Sequence, residues 1–202
     1  MTLSRPIVEM LDSTFVLEHL YQTEPVFNDV STSKLSLISA TDLKKISALS
    51  TPNNCLAVFR IPEEKRVETS GLIIALDNVR DPGNMGTILR LCDWFGVTQL
   101  VCSEETVDIY NPKVVQATMG SISRVNATYL DLENFIKNST LPIYGTFMDG
   151  ENIYHADLPQ NGIIILGNEA NGISQKIEKL TVNRLTIPRF GELRQTESLN
   201  VA

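Results

Sequence analysis

Ile163-Ile-Ile-Leu166 is an unbroken apolar run. A strand without polar alternation has no face to show to water, so it belongs inside a sheet covered on both sides. Leu72–Leu76 reads the same way. Around these runs, segments of helical period alternate with other short strands. The spacing predicts helices at Met85–Phe95, Pro112–Met119, Leu132–Asn138 and Ser174–Leu180. It predicts strands at Gln99–Cys102, Val125–Tyr129, Ile143–Phe147 and Arg184–Ile187. Strands separated by helices imply an α/β fold with a parallel sheet. Ligands of such sheets sit in the loops beyond the carboxyl ends of the strands.

Residues 1–62 read as a smaller, separate part. Ile7, Met10 and Leu11 lie at helical spacing, Thr14–Tyr21 and Lys34–Ser39 read as strands, and Thr41–Leu49 reads as a helix capped by Thr41. Cys55–Ile61 closes this part as a strand. Residues 63–70 are charged, with little to bury, and read as a linker. Residues 71–202 form the larger part.

Composition narrows the function classes. With 43% hydrophobic and 20% charged residues, the chain is neither disordered nor fibrous. No apolar run approaches the roughly 20 residues of a membrane helix, and MTLSRPIVEML has no signal-peptide core. Three cysteines without CxxC spacing predict neither a disulfide framework nor a zinc site. A cytoplasmic protein without a metal is expected. The net charge of −7 opposes wholesale attraction to nucleic acid and leaves room only for a local basic patch.

Three loops carry polar residues that the strands do not explain. The first, Leu76-Asp-Asn-Val-Arg-Asp-Pro-Gly-Asn-Met-Gly-Thr-Ile-Leu-Arg90, runs from a strand into a helix, with Pro82-Gly83 as a turn and Asn84 as the expected N-cap. On that helix Met85, Ile88, Leu89, Cys92 and Phe95 share a face expected to pack on the sheet. Arg90 lies nearly opposite, between Gly86 and Trp94. Gly86 leaves room for another backbone or a ligand, and Trp94 is costly to leave in water, so this face suits an interface or pocket. Periodicity alone favours a surface arginine on an amphipathic helix. The second loop, Gly167-Asn-Glu-Ala-Asn-Gly-Ile-Ser174, follows the apolar strand. Gly167 would let a ligand approach the main chain, and Glu169 could meet a helix-start donor or a cation. It could also be a plain strand-to-helix turn with Ser174 as cap. The third, Ile187-Pro-Arg-Phe-Gly-Glu-Leu-Arg-Gln-Thr-Glu-Ser-Leu-Asn-Val-Ala202, could by itself be a helix start with Ser198 as cap and Leu199 in the core.

Taken in order, the N-x-G-x-x-x-R segment, LGNE-x-x-G-I-S and IP…ESLNVA resemble the three motifs of the SpoU family of RNA 2′-O-ribose methyltransferases, within the SPOUT superfamily. The resemblance covers about residues 72–202. It implies a parallel sheet ending in a trefoil knot, with S-adenosylmethionine bound in a bent conformation. Gly167, Ile187 and Leu199 are then the positions expected to touch the cofactor, with Thr146 a fourth. Asn84, Arg90, Glu169, Ser198 and Asn200 match the family's active-site positions. The substrate implied is RNA, ribosomal rather than transfer RNA, because residues 1–62 are similar to the small RNA-binding domain of ribosomal RNA enzymes. The family's arginine often faces the partner subunit's cofactor, and the Gly86–Arg90–Trp94 face agrees with a homodimer.

The reaction implied moves a methyl group from a sulfonium to a ribose hydroxyl, which must lose a proton. No histidine lies in the motifs; the chain's two are His19 and His155. The family proposal gives the proton to the arginine, here Arg90. With a pKa above about 12, a guanidinium is better suited to holding a phosphate and stabilising the developing oxyanion.

Departures are also visible. The stretch Phe190–Thr196 is longer than usual, and Arg189 stands where many members have methionine. The family continues into a helix beyond Ala202 and opens with a glycine-bearing helix ahead of Arg5, so a truncated chain is expected. A competing reading is a knotted RNA-binding or regulatory protein without activity. Nucleotide-binding enzymes with GxGxxG or GxxxxGK[ST] loops are excluded by the absence of either loop. An unknotted Rossmann-type methyltransferase would use an early acidic ribose ligand, which Leu76-Asp77 imitates weakly.

Overall fold

The computed structural model describes residues 5–188. The chain divides into two compact units, Met1–Glu64 and Lys65–Ala202.

In the first unit, α1 (Arg5–Leu11) precedes β1 (Val16–Gln22), β2 (Leu35–Leu37), α2 (Ala40–Ile46) and β3 (Cys55–Arg60). The sheet order is β2-β1-β3, with β1 parallel to β2 and antiparallel to β3. Leu20 and Leu43 fill its core. The α2 helix starts before the expected Thr41. Ser39 is the N-cap: its Oγ accepts from the Asp42 N–H at 3.1 Å and donates to Asp42 Oδ2 at 2.7 Å. This exchange satisfies an orphan donor of the first turn, which a cap at Thr41 would leave open.

The second unit runs β4 (Leu72–Leu76), α3 (Pro82–Trp94), β5 (Gln99–Cys102), α4 (Pro112–Thr118), β6 (Asn126–Tyr129), α5 (Leu132–Asn138), β7 (Ile143–Asn152), β8 (Gly162–Leu166), α6 (Gln175–Glu178) and β9 (Asn183–Thr186). All five strand pairs are parallel, in the order β6-β5-β4-β8-β7-β9. The α/β expectation with a parallel sheet holds. Ile73, Ala75, Val101, Ile163 and Ile165 pack with Leu132, Ile136 and Ile177 from α5 and α6. Leu76 and Leu100 are also buried, and so are Met85, Ile88 and Leu89 of α3. Each such side chain contributes roughly 1.5–3 kcal/mol on leaving water.

Three elements differ from the sequence reading. The β7 strand continues to Asn152, and its pairing with β9 jumps from Thr146 to Glu151. Arg184 clamps the intervening bulge: its Nη2 donates to Asp149 Oδ1 at 2.6 Å, its Nη1 to Glu178 Oε1 at 2.7 Å, and its guanidinium lies 3.5 Å from the Phe147 ring centroid. The α6 helix is a single turn, because Leu180 and Thr181 bond back to Ile177 and Glu178, three residues behind, and tighten the chain out of α geometry. Phe95, expected on the buried face of α3, is the C-cap of that helix and is 73% exposed. Helical rotation ends before it can turn the ring toward the sheet.

The strand order places the site. From β4 the chain steps outward through β5 to β6, and it later returns to the other side of β4 as β8. The loops after β4 and β8 therefore emerge side by side at a topological switch point. No helix among the described residues is long and apolar enough to cross a membrane.

Candidate active site at the β4 and β8 loops

The β4 loop begins with a buried carboxylate. Asp77 is 2% exposed; its N–H donates to the Leu166 carbonyl, and its Oδ2 accepts the Ser174 N–H at 2.6 Å. It ties the two loops together. It is therefore closed to a cofactor ribose, which removes the observation behind the Rossmann-type alternative. Ser174 occupies the N-cap position of α6, yet its side chain makes no capping bond; its Oγ is buried with no partner among the described residues.

Asn78 joins three loops. Its φ of +63° is unusual for a residue other than glycine and costs roughly 1 kcal/mol. In return, its N–H reaches Ser103 Oγ at 2.9 Å, its carbonyl accepts from Asn168 Nδ2 at 2.7 Å, and its Oδ1 accepts from Arg80 Nε at 2.8 Å. Asn168 also organises its own loop, accepting at Oδ1 from the N–H groups of Ala170 and Asn171. Asn78, Ser103 and Asn168 were not among the sequence candidates, and Asp77 entered only as a weak imitation of a ribose ligand. The available signal was an Asp-Asn pair directly after an apolar strand, which is turn chemistry.

Asn84 is not the N-cap. Asp81 caps α3, with its Oδ1 accepting the Asn84 N–H at 2.8 Å, and Pro82 follows at the first helical position, where its missing N–H costs nothing. The Asn84 side chain is thereby free to donate to Glu169 Oε1 at 3.1 Å, across 85 residues of sequence. Glu169 also accepts from the N–H groups of Asp81 at 3.1 Å and Arg80 at 3.3 Å. Burial pushes its pKa up. Hydrogen bonds from its own backbone, Asn84, Asp81 and Arg80 outweigh that and hold the carboxyl below its ordinary range.

The other candidates are arranged as follows. Gly167 does not open space for a ligand at its Cα: a Cβ there would meet the Gly172 carbonyl carbon and the Ile173 nitrogen at 2.2 Å, so the glycine lets the loop fold back on itself. Thr146 Oγ1 donates to the Ile165 carbonyl at 3.0 Å, linking β7 to β8. Ile187 is half-exposed just beyond β9. Gly86 is filled by α4, since a Cβ would lie 2.3 Å from Ala117 Cβ; another helix, not a ligand, takes that room. Arg90 is exposed, and among the described residues no hydrogen bond or ion pair links it to Asn84 or Glu169. Trp94, one turn on, is 83% exposed. Ser198, Leu199 and Asn200 lie outside the described residues, as do Arg189 and the lengthened Phe190–Thr196 stretch. Among the described residues no three His, Cys, Asp or Glu side chains gather as a metal site.

Residues 71–202 match the family model described as the SpoU rRNA methylase family. The chain is 30% identical over 171 residues to a Bacillus subtilis 23S rRNA (guanosine(2553)-2′-O)-methyltransferase, RlmP, covering 82% of this chain and 67% of that protein. It is 30% identical over 138 residues to a Neisseria meningitidis 23S rRNA (guanosine-2′-O-)-methyltransferase, RlmB, covering 65% of this chain and 53% of the relative. It thus spans between about half and two thirds of these relatives. A solved structure from Porphyromonas gingivalis, assigned to the TrmH family of RNA methyltransferases, superimposes with a TM-score of 0.87 at 38% identity, over 98% of this chain and 82% of that one. The fold is shared with the SpoU methyltransferase AviRb of Streptomyces viridochromogenes, solved in complex with AdoMet: the TM-score is 0.83 at 20% identity, over 98% of this chain and 82% of that one.

Proposed function

This chain belongs to the SpoU rRNA methylase family, and on that premise we propose that it methylates a ribose 2′-hydroxyl of RNA, ribosomal in preference to transfer RNA, with S-adenosylmethionine as donor. The observation that carries the reading is the bond between Asn84 and Glu169, which brings the first and second motifs into one site at the switch point of the sheet. The relatives named as 23S rRNA 2′-O-methyltransferases support the substrate class.

Asn84, Arg90, Glu169, Ser198 and Asn200 make up the catalytic set in this reading. Thr146, Gly167, Ile187 and Leu199 hold the cofactor. The residues present fit that group. The main chain around Thr146 in β7 and beyond β8 and β9 offers donors and acceptors, and half-exposed Ile187 offers an apolar surface for a purine. Thr146 keeps an acceptor lone pair after donating to Ile165. When bound, the sulfonium supplies an activated methyl group. Glu169, held ionised by its four donors, fixes Asn84 and the start of α3. Arg90 holds the RNA phosphate and stabilises charge on the 2′-oxygen as its proton leaves.

The Arg90 face of one protomer completes the site of a second. Exposed Trp94 and Leu91 beside it supply the apolar contact of a homodimer. Residues 71–202 carry a trefoil knot at their carboxyl end, residues 1–62 serve as the RNA-binding unit, and the protein works in the cytoplasm.

Titration with S-adenosylmethionine, followed by transfer of labelled methyl to total RNA, tests the reading. Saturable cofactor binding with label at ribose 2′-oxygens is expected. Cofactor binding without transfer would instead favour the non-catalytic knotted RNA-binding protein. Mapping 2′-O-methyl groups in RNA from cells with and without the gene identifies the nucleotide.

A further inference from the structure

We propose that Arg80 is an RNA-phosphate clamp at the rim of the site, holding the backbone next to the nucleotide to be methylated; the proposal rests on the function put forward above. A chain with net charge −7 can hold RNA only through local cations that its own carboxylates have not already taken. Four of its nine arginines offer little. Arg5, Arg60, Arg124 and Arg184 are each tied to a carboxylate.

Arg80 differs although acids surround it. Glu169 already accepts from the N–H groups of Arg80 and Asp81 and from the Asn84 side chain. Asp81 accepts the Asn84 N–H at the start of α3. Glu169 is thus engaged by amide donors and Asp81 Oδ1 by the helix start, and among the described residues the Arg80 guanidinium forms no ion pair. Only its Nε is used, in the 2.8 Å bond to Asn78 Oδ1. That bond aims the side chain of this exposed residue, and among the described residues neither terminal nitrogen makes a hydrogen bond. Asn78 is itself fixed by Ser103 and Asn168, so the tether is anchored to three loops. A planar fork held at Nε with its two Nη groups free suits bidentate contact with a phosphate.

Topology separates this position from the cofactor. Thr146 lies within β7, just past its pairing with β8, and Gly167 and Ile187 directly follow β8 and β9, whereas Arg80 follows β4, on the side of β8 away from β7 and β9. The anion it meets is therefore the RNA backbone rather than the cofactor's carboxylate.

The test compares wild type, Arg80→Gln and Asn78→Gly. Binding of a fluorescein-labelled mixed-sequence RNA oligonucleotide is measured across a salt series, cofactor affinity by calorimetry, and methyl transfer on ribosomal RNA from cells lacking the gene. Arg80→Gln is expected to weaken RNA binding and raise the RNA KM about tenfold, and to reduce the slope of log Kd against log salt by about 0.7–0.9. Its kcat should stay within about twofold. Asn78→Gly accepts the left-handed backbone and keeps the charge but removes the tether. It should raise the RNA KM by about threefold with an unchanged salt slope. Cofactor affinity should be unaltered in both. An unchanged RNA Kd and slope in Arg80→Gln overturns the proposal. So does loss of cofactor affinity with RNA binding intact, or equal loss of both together with a lowered Tm. If wild type itself neither binds RNA nor transfers methyl, the proposed function fails, and this inference falls with it.

Discussion

The two ends of α3 have opposite surroundings. At its start, Asp81, Asn84 and Glu169 satisfy one another, and three loops converge within one chain. Toward its end, Arg90 and Trp94 stand exposed, and no bond to Arg90 is present among the described residues. Gly86 sits between them, pressed against Ala117 of α4. The contrast teaches that the described residues complete the helix at one end and leave it open at the other. Among the described residues no bond ties Arg90 to the fold, and the 83% exposed Trp94 beside it buries little. In the proposed dimer Arg90 becomes the missing wall of a neighbour's site.

The contrast can be broken or sharpened by substitution. Arg90→Ala should lower methyl transfer by roughly 10²–10³-fold or more, the scale of losing a transition-state donor. Cofactor affinity and Tm should stay as in wild type, because the side chain has no bonded partner among the described residues. Equal loss of cofactor binding and transfer, in calorimetry and activity assays, would place Arg90 in the cofactor pocket instead.

Trp94→Glu should weaken self-association by about tenfold or more, measured by sedimentation, because a buried aromatic anchor gives way to a charge. Monomer stability should hardly change. A dimer of unaltered strength would assign the apolar surface another partner.

Glu169→Gln addresses the completed end and should cost the fold about 1 kcal/mol, a smaller change than the two above. The carboxyl's folded pKa lies below its ordinary value. Its contribution is therefore fully present above that ordinary value, about 4.3, and is lost as pH falls through the folded one. The Tm difference between wild type and Glu169→Gln should be present at neutral pH and close in acid. A difference that grows in acid would contradict the bonding around Glu169.

Much of this was legible in the sequence because it depends on period and polarity. The apolar runs at Leu72 and Ile163 could only be interior strands, and the order of strands and helices required a parallel sheet. The Asn84–Glu169 pairing followed from the resemblance of two motifs, not from spacing. What stayed hidden depends on three-dimensional competition. Asn84 looked like a cap until Asp81 proved able to serve one turn earlier and free it. Gly86 left room for another backbone or a ligand, and α4 takes it, while the space at the Gly167 Cα is taken by the folded-back loop. Asp77 looked like a ribose ligand and is buried beneath Ser174. The bulge in β7 has no sequence signature, because the residue that holds it, Arg184, lies more than 30 positions away.

Subunit mixing tests the central claim, that one protomer's Asn84 and Glu169 work with the other's Arg90. Arg90→Ala and Asn84→Ala chains should each be inactive alone. Unfolded and refolded together, they should regain roughly a quarter of wild-type activity, since random pairing makes half the dimers mixed, each with one intact site of two. Mixtures as inactive as the separate variants, with mixed dimers present, would contradict it.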